Sequence, residues 1–110
     1  MPAMVWVSDQ AQLESYFLRG LLWCEPCGEL LVPATTTDSR RFYGCPNRRC
    51  PRPLIDAASV ETAAWQRYIA LDEEAARRVR RDQRHEALVE LLARVTIGST
   101  IVDLGFDWRE

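Results

Sequence analysis

Two short runs, Cys24-Glu25-Pro26-Cys27 and Cys45-Pro46-Asn47-Arg48-Arg49-Cys50, hold the four cysteines of this 110-residue chain. Seventeen residues separate the two pairs. A short turn can direct two sulfurs toward one point about 2.3 Å from a metal, and two such turns complete a tetrahedron. Because four sulfurs leave no position for a catalytic water, the spacing predicts one structural Zn²⁺ ion. Its predicted ligands are Cys24, Cys27, Cys45 and Cys50.

Other uses of the four thiols fit the sequence less well. Disulfides form in oxidising compartments, and the segment Met1–Gln10 has no basic stretch followed by an apolar run that would direct export. We therefore expect a cytoplasmic protein. A redox-active pair needs a thioredoxin-like context and would leave the second pair unexplained. Iron fits the same thiolate cage, so the residues alone leave zinc and iron both open.

Between the two cysteine pairs the sequence predicts a β-hairpin. A strand rich in Leu, Val and Thr runs over 29–37, the turn lies at 38–39, and a second strand over 40–44 returns to Cys45. Both cysteine turns then lie at the base of one hairpin, which is the plan of a zinc ribbon. We assign this ribbon to residues 21–55.

Capping residues and helical periodicity predict the elements around the ribbon. Gly20 suits the left-handed end of a first helix, and Asp56 and Asp72 suit the N-caps of two more. The apolar strip around Trp6 is predicted to form an edge strand or to meet another chain. The other predicted elements are a strand over 21–23 and helices over 9–19, 57–70 and 72–95. The predicted inward side chains of the helix after Asp56 are Val60, Ala64, Tyr68 and Leu71.

The C-terminal segment alternates apolar and polar residues, which predicts a strand. The apolar side chains on one face are Val102, Leu104, Phe106 and Trp108. Gly98-Ser99 suits a two-residue hairpin turn that would pair this strand with 94–97. The sequence therefore predicts one α+β domain over 1–110, in which a zinc ribbon packs on two or three helices and a C-terminal hairpin closes the fold. Its predicted parts are 1–20, 21–55, 56–95 and 96–110.

Composition and charge narrow the functional classes. The chain has a formal net charge of −2, with 47% hydrophobic and 27% charged residues. No apolar run approaches the ~20 residues that span a bilayer, so we expect no membrane partner. A simple polycation is excluded as well. Only the segment 39–71 is basic, with six Arg against two acidic residues.

Five arginines of that segment cluster on the returning strand and the second cysteine turn, with no acid among them. An arginine edge that projects from a ribbon can contact phosphates, or donate to guanine in a groove. The alternatives are a solvated edge on which arginine aids solubility, or Arg48 and Arg49 donating toward the thiolates. The candidate DNA-binding residues are Arg40, Arg41, Arg48, Arg49 and Arg52.

A second arginine cluster lies in the polar stretch over 77–86. It predicts a helix face for a protein partner, or a solvated face that pairs with its own acids, as Glu73–Arg77 and Glu74–Arg78 would at i,i+4 spacing. The candidate partner-binding residues are Arg77, Arg80, Arg81 and Arg84. His85 has no free Ser or Cys nucleophile near it in sequence, so we expect no enzyme.

Three stretches resemble the zinc β-ribbon domain of large serine recombinases, the serine integrases. The first stretch is the segment Leu18–Leu30, which leads into the first cysteine pair. The second contains Phe42–Cys45, Cys50 and the run Leu54–Glu61, which enters a helix containing Trp65. The third is the tail, which consists of Leu88–Gly98 and Phe106-Asp107-Trp108. Together they cover about residues 16–108. The catalytic domain of the family is not contained in these 110 residues, and the family's long coiled-coil insertion is missing or reduced to the stretch around 77–86.

The resemblance implies the DNA-contacting module of the family, detached from catalysis. The function it implies is a non-enzymatic, zinc-binding DNA-binding protein that acts in, or regulates, site-specific recombination or transcription. The partners would be DNA and a full-length recombinase. The alternative is a protein–protein adaptor that keeps the ribbon as a scaffold and binds another protein or a second copy as a homodimer.

Overall fold

The computed structural model describes residues 4–50, 52, 54–101 and 103–109. The predictions that concern Pro51, Pro53 and Val102 lie outside the described residues. The strands are β1 Met4–Trp6, β2 Leu22–Cys24, β3 Val32–Thr36, β4 Arg41–Gly44, β5 Ile55–Asp56, β6 Leu92–Ile97 and β7 Leu104–Trp108. The helices are α1 Gln10–Leu13, α2 Ala57–Leu71, α3 Glu73–Arg78 and α4 Arg84–Leu91, with a 3₁₀ turn at Arg81–Gln83 before α4.

The predicted hairpin is the centre of a four-stranded antiparallel sheet with the order β1-β3-β4-β5. β3 pairs with β4 from Val32↔Gly44 to Thr35↔Arg41, so β4 ends directly before the second cysteine pair. Ser39 closes the turn with a φ of 66°. β1 pairs with the outer side of β3, which confirms the edge-strand alternative for the strip around Trp6.

A second sheet of three strands has the order β2-β6-β7. β2 runs parallel to β6, a pairing that the sequence analysis did not predict. β6 and β7 pair antiparallel, which confirms the closing hairpin. The predicted two-residue turn at Gly98-Ser99 is wrong, because the connection runs over 98–103. The Gly98 N–H donates to the Asp103 carbonyl at 2.8 Å, so the loop closes four residues later than predicted.

The first helix is much shorter than predicted. Asp9 is its N-cap and accepts from the Ala11 N–H at 3.0 Å, but the helix ends after Leu13. Beyond that point the segment bonds to the sheet instead: the Tyr16 hydroxyl donates to the Ala34 carbonyl at 2.8 Å, and the Leu18 N–H donates to the Tyr43 hydroxyl at 3.1 Å. These bonds hold 14–19 as turns against the sheet.

The long helix α2 matches its prediction. Asp56 accepts from the Ser59 N–H at 3.0 Å as the N-cap. The predicted inward residues Val60, Ala64 and Tyr68 are buried, but Leu71 is 56% exposed, and its predicted place in the core is wrong. Leu71 is the last residue of α2, where the helix ends at Asp72.

The predicted helix over 72–95 is broken into several elements. Asp72 caps α3 as predicted, but Val79 has an extended backbone (φ −89°, ψ 118°) that ends it. α4 then stops at Leu91, and β6 begins at Leu92. The polar stretch in the middle offers only Val79 as an apolar residue, too little to hold one straight helix against the core.

The core fills the space between the two sheets and α2. Trp65 is 6% exposed, but Trp108 is 49% exposed, so the predicted inward face of the C-terminal strand is wrong at that end. Trp23 is partly buried. Across the described ranges, every helix is too short or too polar to cross a bilayer.

Candidate metal centre and arginine surfaces

The first cysteine turn follows β2. The last residue of β2 is Cys24, and its carbonyl accepts from the Gly28 N–H at 2.8 Å, which folds the chain back and brings Cys27 beside Cys24. Gly28 has a φ of 70°, in the left-handed region that glycine adopts without strain. The Cys24 N–H donates to the Glu29 carbonyl at 2.9 Å and ties both sides of the turn.

The second cysteine turn follows β4, because Cys45 comes directly after the last residue of that strand. Asn47 shapes it: its side-chain Oδ1 accepts from the Arg49 N–H at 3.0 Å, and its carbonyl accepts from the Cys50 N–H at 3.0 Å. This turn directs Cys50 back toward Cys45.

The four Sγ atoms all lie within 4.8 Å of one another. Cys24 and Cys50 are 3.8 Å apart at sulfur, and Cys27 and Cys45 are 3.2 Å apart. A tetrahedron with Zn–S bonds of 2.3 Å has edges of about 3.8 Å, so the four thiols fit one Zn²⁺ ion. The ion is structural, since its four positions are filled by sulfur.

A bound metal ion changes the protonation of the cysteine cluster. Burial raises the pKa of the Cys45 thiol to about 12, and a hydrogen bond from the Asn47 backbone opposes that rise. A bound metal ion deprotonates its thiols outright. Zn²⁺ with four thiolates carries a charge of −2, and that excess favours hydrogen-bond donors next to the sulfurs.

Arg52 supplies such a donor. Its Nε donates to the Cys24 Sγ at 3.3 Å, and its guanidinium also donates to the carbonyls of Ile97 and Gly98. The side chains of Arg48 and Arg49, for which the sequence left this role open, are exposed instead. Arg52 therefore joins the metal centre to the end of β6.

The candidate DNA-binding arginines occupy three different environments. Arg48 and Arg49 are exposed on the second cysteine turn, and Arg40 is exposed beside the hairpin turn, with its guanidinium 5.2 Å from the Phe42 ring centre. Arg41 and Arg52 make internal contacts. Contact of any of the five with DNA stays a prediction.

Arg41 belongs to a buried network that the sequence analysis missed. Its Nη2 lies 2.9 Å from Glu61 Oε1. Glu61 is only 4% exposed and also accepts from the Tyr43 hydroxyl at 2.7 Å and the Phe17 N–H at 3.1 Å. Glu61 lies four residues after Ala57 and four before Trp65, on the buried face of α2; a carboxylate at that position was the available signal.

The candidate partner-binding arginines also differ. The self-pairing alternative is confirmed for Arg77, which contacts Glu73 at 2.7 Å, and the neighbouring Arg78 pairs with Glu74 at 2.8 Å. Arg80 lies 3.6 Å from Asp82. Arg81 is exposed, and Arg84 is partly buried.

His85 has a structural contact. Its Nδ1 lies 3.1 Å from the Phe17 carbonyl oxygen, which fixes the start of α4 against the turns over 14–19. The His85 side chain is partly buried.

The fold of this chain is similar to that of a solved structure. A solved structure from a study of the sequence requirements of the Listeria innocua prophage attP site has the same fold, with a TM-score of 0.62 at 16% sequence identity. The match covers 86% of this chain and 43% of the other, so this chain spans less than half the length of that structure. No curated protein matches the sequence.

One family model matches the segment that contains the ribbon. Residues 17–69 match the family model described as the recombinase zinc beta ribbon domain. That span begins at the turn before β2, contains all four cysteines, and ends within α2. Residues 17–69 of this chain are therefore similar to the recombinase zinc beta ribbon domain, over slightly less than half of the chain.

Proposed function

We propose that this chain is a non-enzymatic, cytoplasmic DNA-binding module that contacts duplex DNA through the exposed arginines of its zinc ribbon. In this proposal it acts in site-specific recombination or transcription, alone or beside a full-length recombinase. The observation that carries the proposal is the pair Arg48 and Arg49, exposed on the turn between two of the four clustered cysteines. The recombinase-type ribbon supports the same assignment.

The free arginines lie at the two ends of the hairpin. Arg40 precedes β4, and Arg48 and Arg49 follow it. A strand rises about 3.3 Å per residue, so the two ends are about 15 Å apart. Three guanidinium groups at this spacing can contact separate phosphates along one face of a duplex. Arg41 and Arg52 support this surface from within, since they hold Glu61 and Cys24.

The salt dependence of binding tests the number of contacts. Each neutralised phosphate contributes about −0.9 to the slope of log K against log salt, so three contacts predict a slope of about −2.7. We expect fluorescence anisotropy with a labelled duplex to give this slope for the zinc-loaded protein. In Arg48→Ala/Arg49→Ala the slope falls to about −0.9, and affinity falls at every salt concentration.

The matched control is Arg77→Ala/Arg78→Ala. It removes the same two charges from an exposed helix where both side chains already pair with acids. Equal loss of binding in the two variants would mean that net charge alone sets affinity and would overturn the proposed interface. Absence of any binding at low salt would overturn DNA as the partner.

A further inference from the structure

A groove separate from the cysteine cluster lies beside α2. Its walls are the turns over 14–19, the first two turns of α2 and the segment over 81–86, and its volume is about 830 Å³. The contact between His85 and the Phe17 carbonyl joins two of these walls. Arg84 and Arg81 both line the groove, and we name it the arginine groove.

Arg84 lies over two aromatic rings at the groove. Its guanidinium carbon lies 4.6 Å from the centre of the Trp65 ring and 5.8 Å from that of Phe17. Ring faces stabilise the cation, but they accept none of its in-plane N–H groups. Within the part of the chain that the structure describes, the buried Arg84 Nε has no hydrogen-bond partner. A desolvated cation with unused donors favours an anion beside it.

Two further features place positive charge at the part of the groove where α4 begins. Among the described residues, neither Arg81 nor Arg84 forms an ion pair, and Arg81 lies near enough to lower the pKa of Arg84, after burial, which is the larger cause. α4 also begins here, and its N-cap residue Gln83 makes no side-chain capping bond. The N–H groups of a helix start favour negative charge. Glu61 also faces the groove, and its charge partly opposes the fall in the pKa of Arg84, but its oxygens already accept from three donors.

The charges at the rim of the groove favour one class of anionic ligand over another. Glu14, Asp82 and Glu86 line it beside the arginines. A DNA strand would bring successive phosphates against these carboxylates, and like charges at short range repel. A protein segment can present one negative side chain to the arginines and basic neighbours to the rim. The mixed charge therefore favours a protein segment over a nucleic acid.

We propose that the arginine groove binds a partner protein segment that presents a single carboxylate or phosphorylated side chain to Arg84 and Arg81. This site is separate from the proposed DNA surface on the cysteine turn. It would allow the ribbon to hold DNA and a protein at the same time.

Nitrogen-15 NMR of the zinc-loaded protein tests the proposal, with blocked five-residue peptides as probes. The probes are Gly-Arg-Glu-Arg-Gly, its phosphoserine counterpart in place of Glu, and its Gln counterpart. We expect saturable shifts of the Arg84 Nε–H and Trp65 indole N–H resonances with the two anionic peptides. The Gln peptide should bind at least tenfold more weakly, and comparison of the two anionic peptides distinguishes a carboxylate from a phosphate ligand.

Variants assign the binding to the groove. Arg81→Ala changes an exposed side chain and is expected to fold normally, so its affinity for the anionic peptides should fall about tenfold. Arg77→Ala, on the preceding helix, is the matched control and should bind as the parent does. Equal binding of the Gln peptide, or shifts confined to other parts of the molecule, would overturn the proposal.

The same samples separate this inference from the proposed function. Duplex DNA is expected to shift the resonances of Arg48 and Arg49 and to leave those of Arg84 and Trp65 in place. DNA that shifts the groove resonances instead would overturn the protein-segment assignment. Failure of the peptides to bind would overturn the groove and leave the DNA surface intact.

Discussion

Arg52 shows how one side chain can serve both a metal centre and a fold. It donates to a ligand sulfur and to carbonyls at the end of β6, so it neutralises part of the −2 charge of the zinc–thiolate centre while it fixes a neighbouring strand. Donors to ligand atoms orient the ligands and tune their basicity. Its place after the second cysteine turn gives no periodic signal, which explains why the sequence alone directed attention to Arg48 and Arg49.

We predict that Arg52→Ala weakens zinc binding by about 10- to 100-fold, because the Cys24 thiolate loses its donor. Competition for zinc with a chromophoric chelator measures this change. Arg49→Ala is the control, since it removes an exposed arginine from the same turn. Equal zinc affinity in the two variants would show that the contact to sulfur has no role in metal binding.

Glu61 marks the limit of what a pattern of apolar residues can reveal. The positions around it predicted the buried face of α2 correctly, yet the pattern treats a charged residue as a solvent position. The structure buries Glu61 because three donors meet it: Arg41, the Tyr43 hydroxyl and the Phe17 N–H. Those donors come from distant parts of the chain, and periodicity within one helix contains no information about them.

At the scale of elements, the sequence predicted the starts of helices correctly where an N-cap residue sets them. Asp56 and Asp72 each cap a helix as predicted, and Asp9 caps α1 in the same way, because a side-chain oxygen and an N–H two or three residues later suffice. Helix ends set by tertiary contacts were not predictable. Leu92 and Val95 continue the helical spacing of Leu88 and Leu91, but the backbone of β6 pairs with β2 and β7, and such pairing overrides the local pattern.

The change from helix to strand at Leu92 is testable by paired substitutions. Leu92 is fully buried in β6, whereas Leu91, the last residue of α4, is 41% exposed. We predict that Leu92→Ala lowers the free energy of unfolding by about 2–5 kcal/mol. Leu91→Ala should lower it by about 0.5 kcal/mol or less.

Urea unfolding of zinc-saturated protein measures both changes. A helix continuing through 88–95 would place Leu88, Leu91, Leu92 and Val95 on one inward face. In that arrangement Leu91→Ala would be as costly as Leu92→Ala. Equal losses would therefore contradict the observed end of α4.

At the scale of the whole molecule, the metal reinforces a junction between the two sheets, where the Leu31 N–H also donates to the Leu22 carbonyl at 2.8 Å. Cys24 ends β2 of the three-stranded sheet, and Cys45 follows β4 of the four-stranded sheet. α2 forms a second junction: Glu61 holds Tyr43 of one sheet, and Arg67 donates to the Leu104 carbonyl of the other. Sequence spacing predicted the metal ligands, but the pairing of β2 with β6, which makes the metal a link between sheets, depends on contacts more than 70 residues apart.

Removal of the metal tests how far this link extends. Structural zinc contributes about 10–16 kcal/mol to folding in zinc-finger peptides, whereas whole domains are stable by about 5–15 kcal/mol. We therefore predict that a chelator unfolds the entire chain and not the cysteine turns alone. Hydrogen exchange should then show loss of amide protection in β6 and α2 together with 24–28, and added Zn²⁺ should restore all three. If the amides of α2 and β3 stay protected without metal, the contacts of Glu61 hold the four-stranded sheet by themselves. The metal then stabilises only the cysteine turns, and the prediction is wrong.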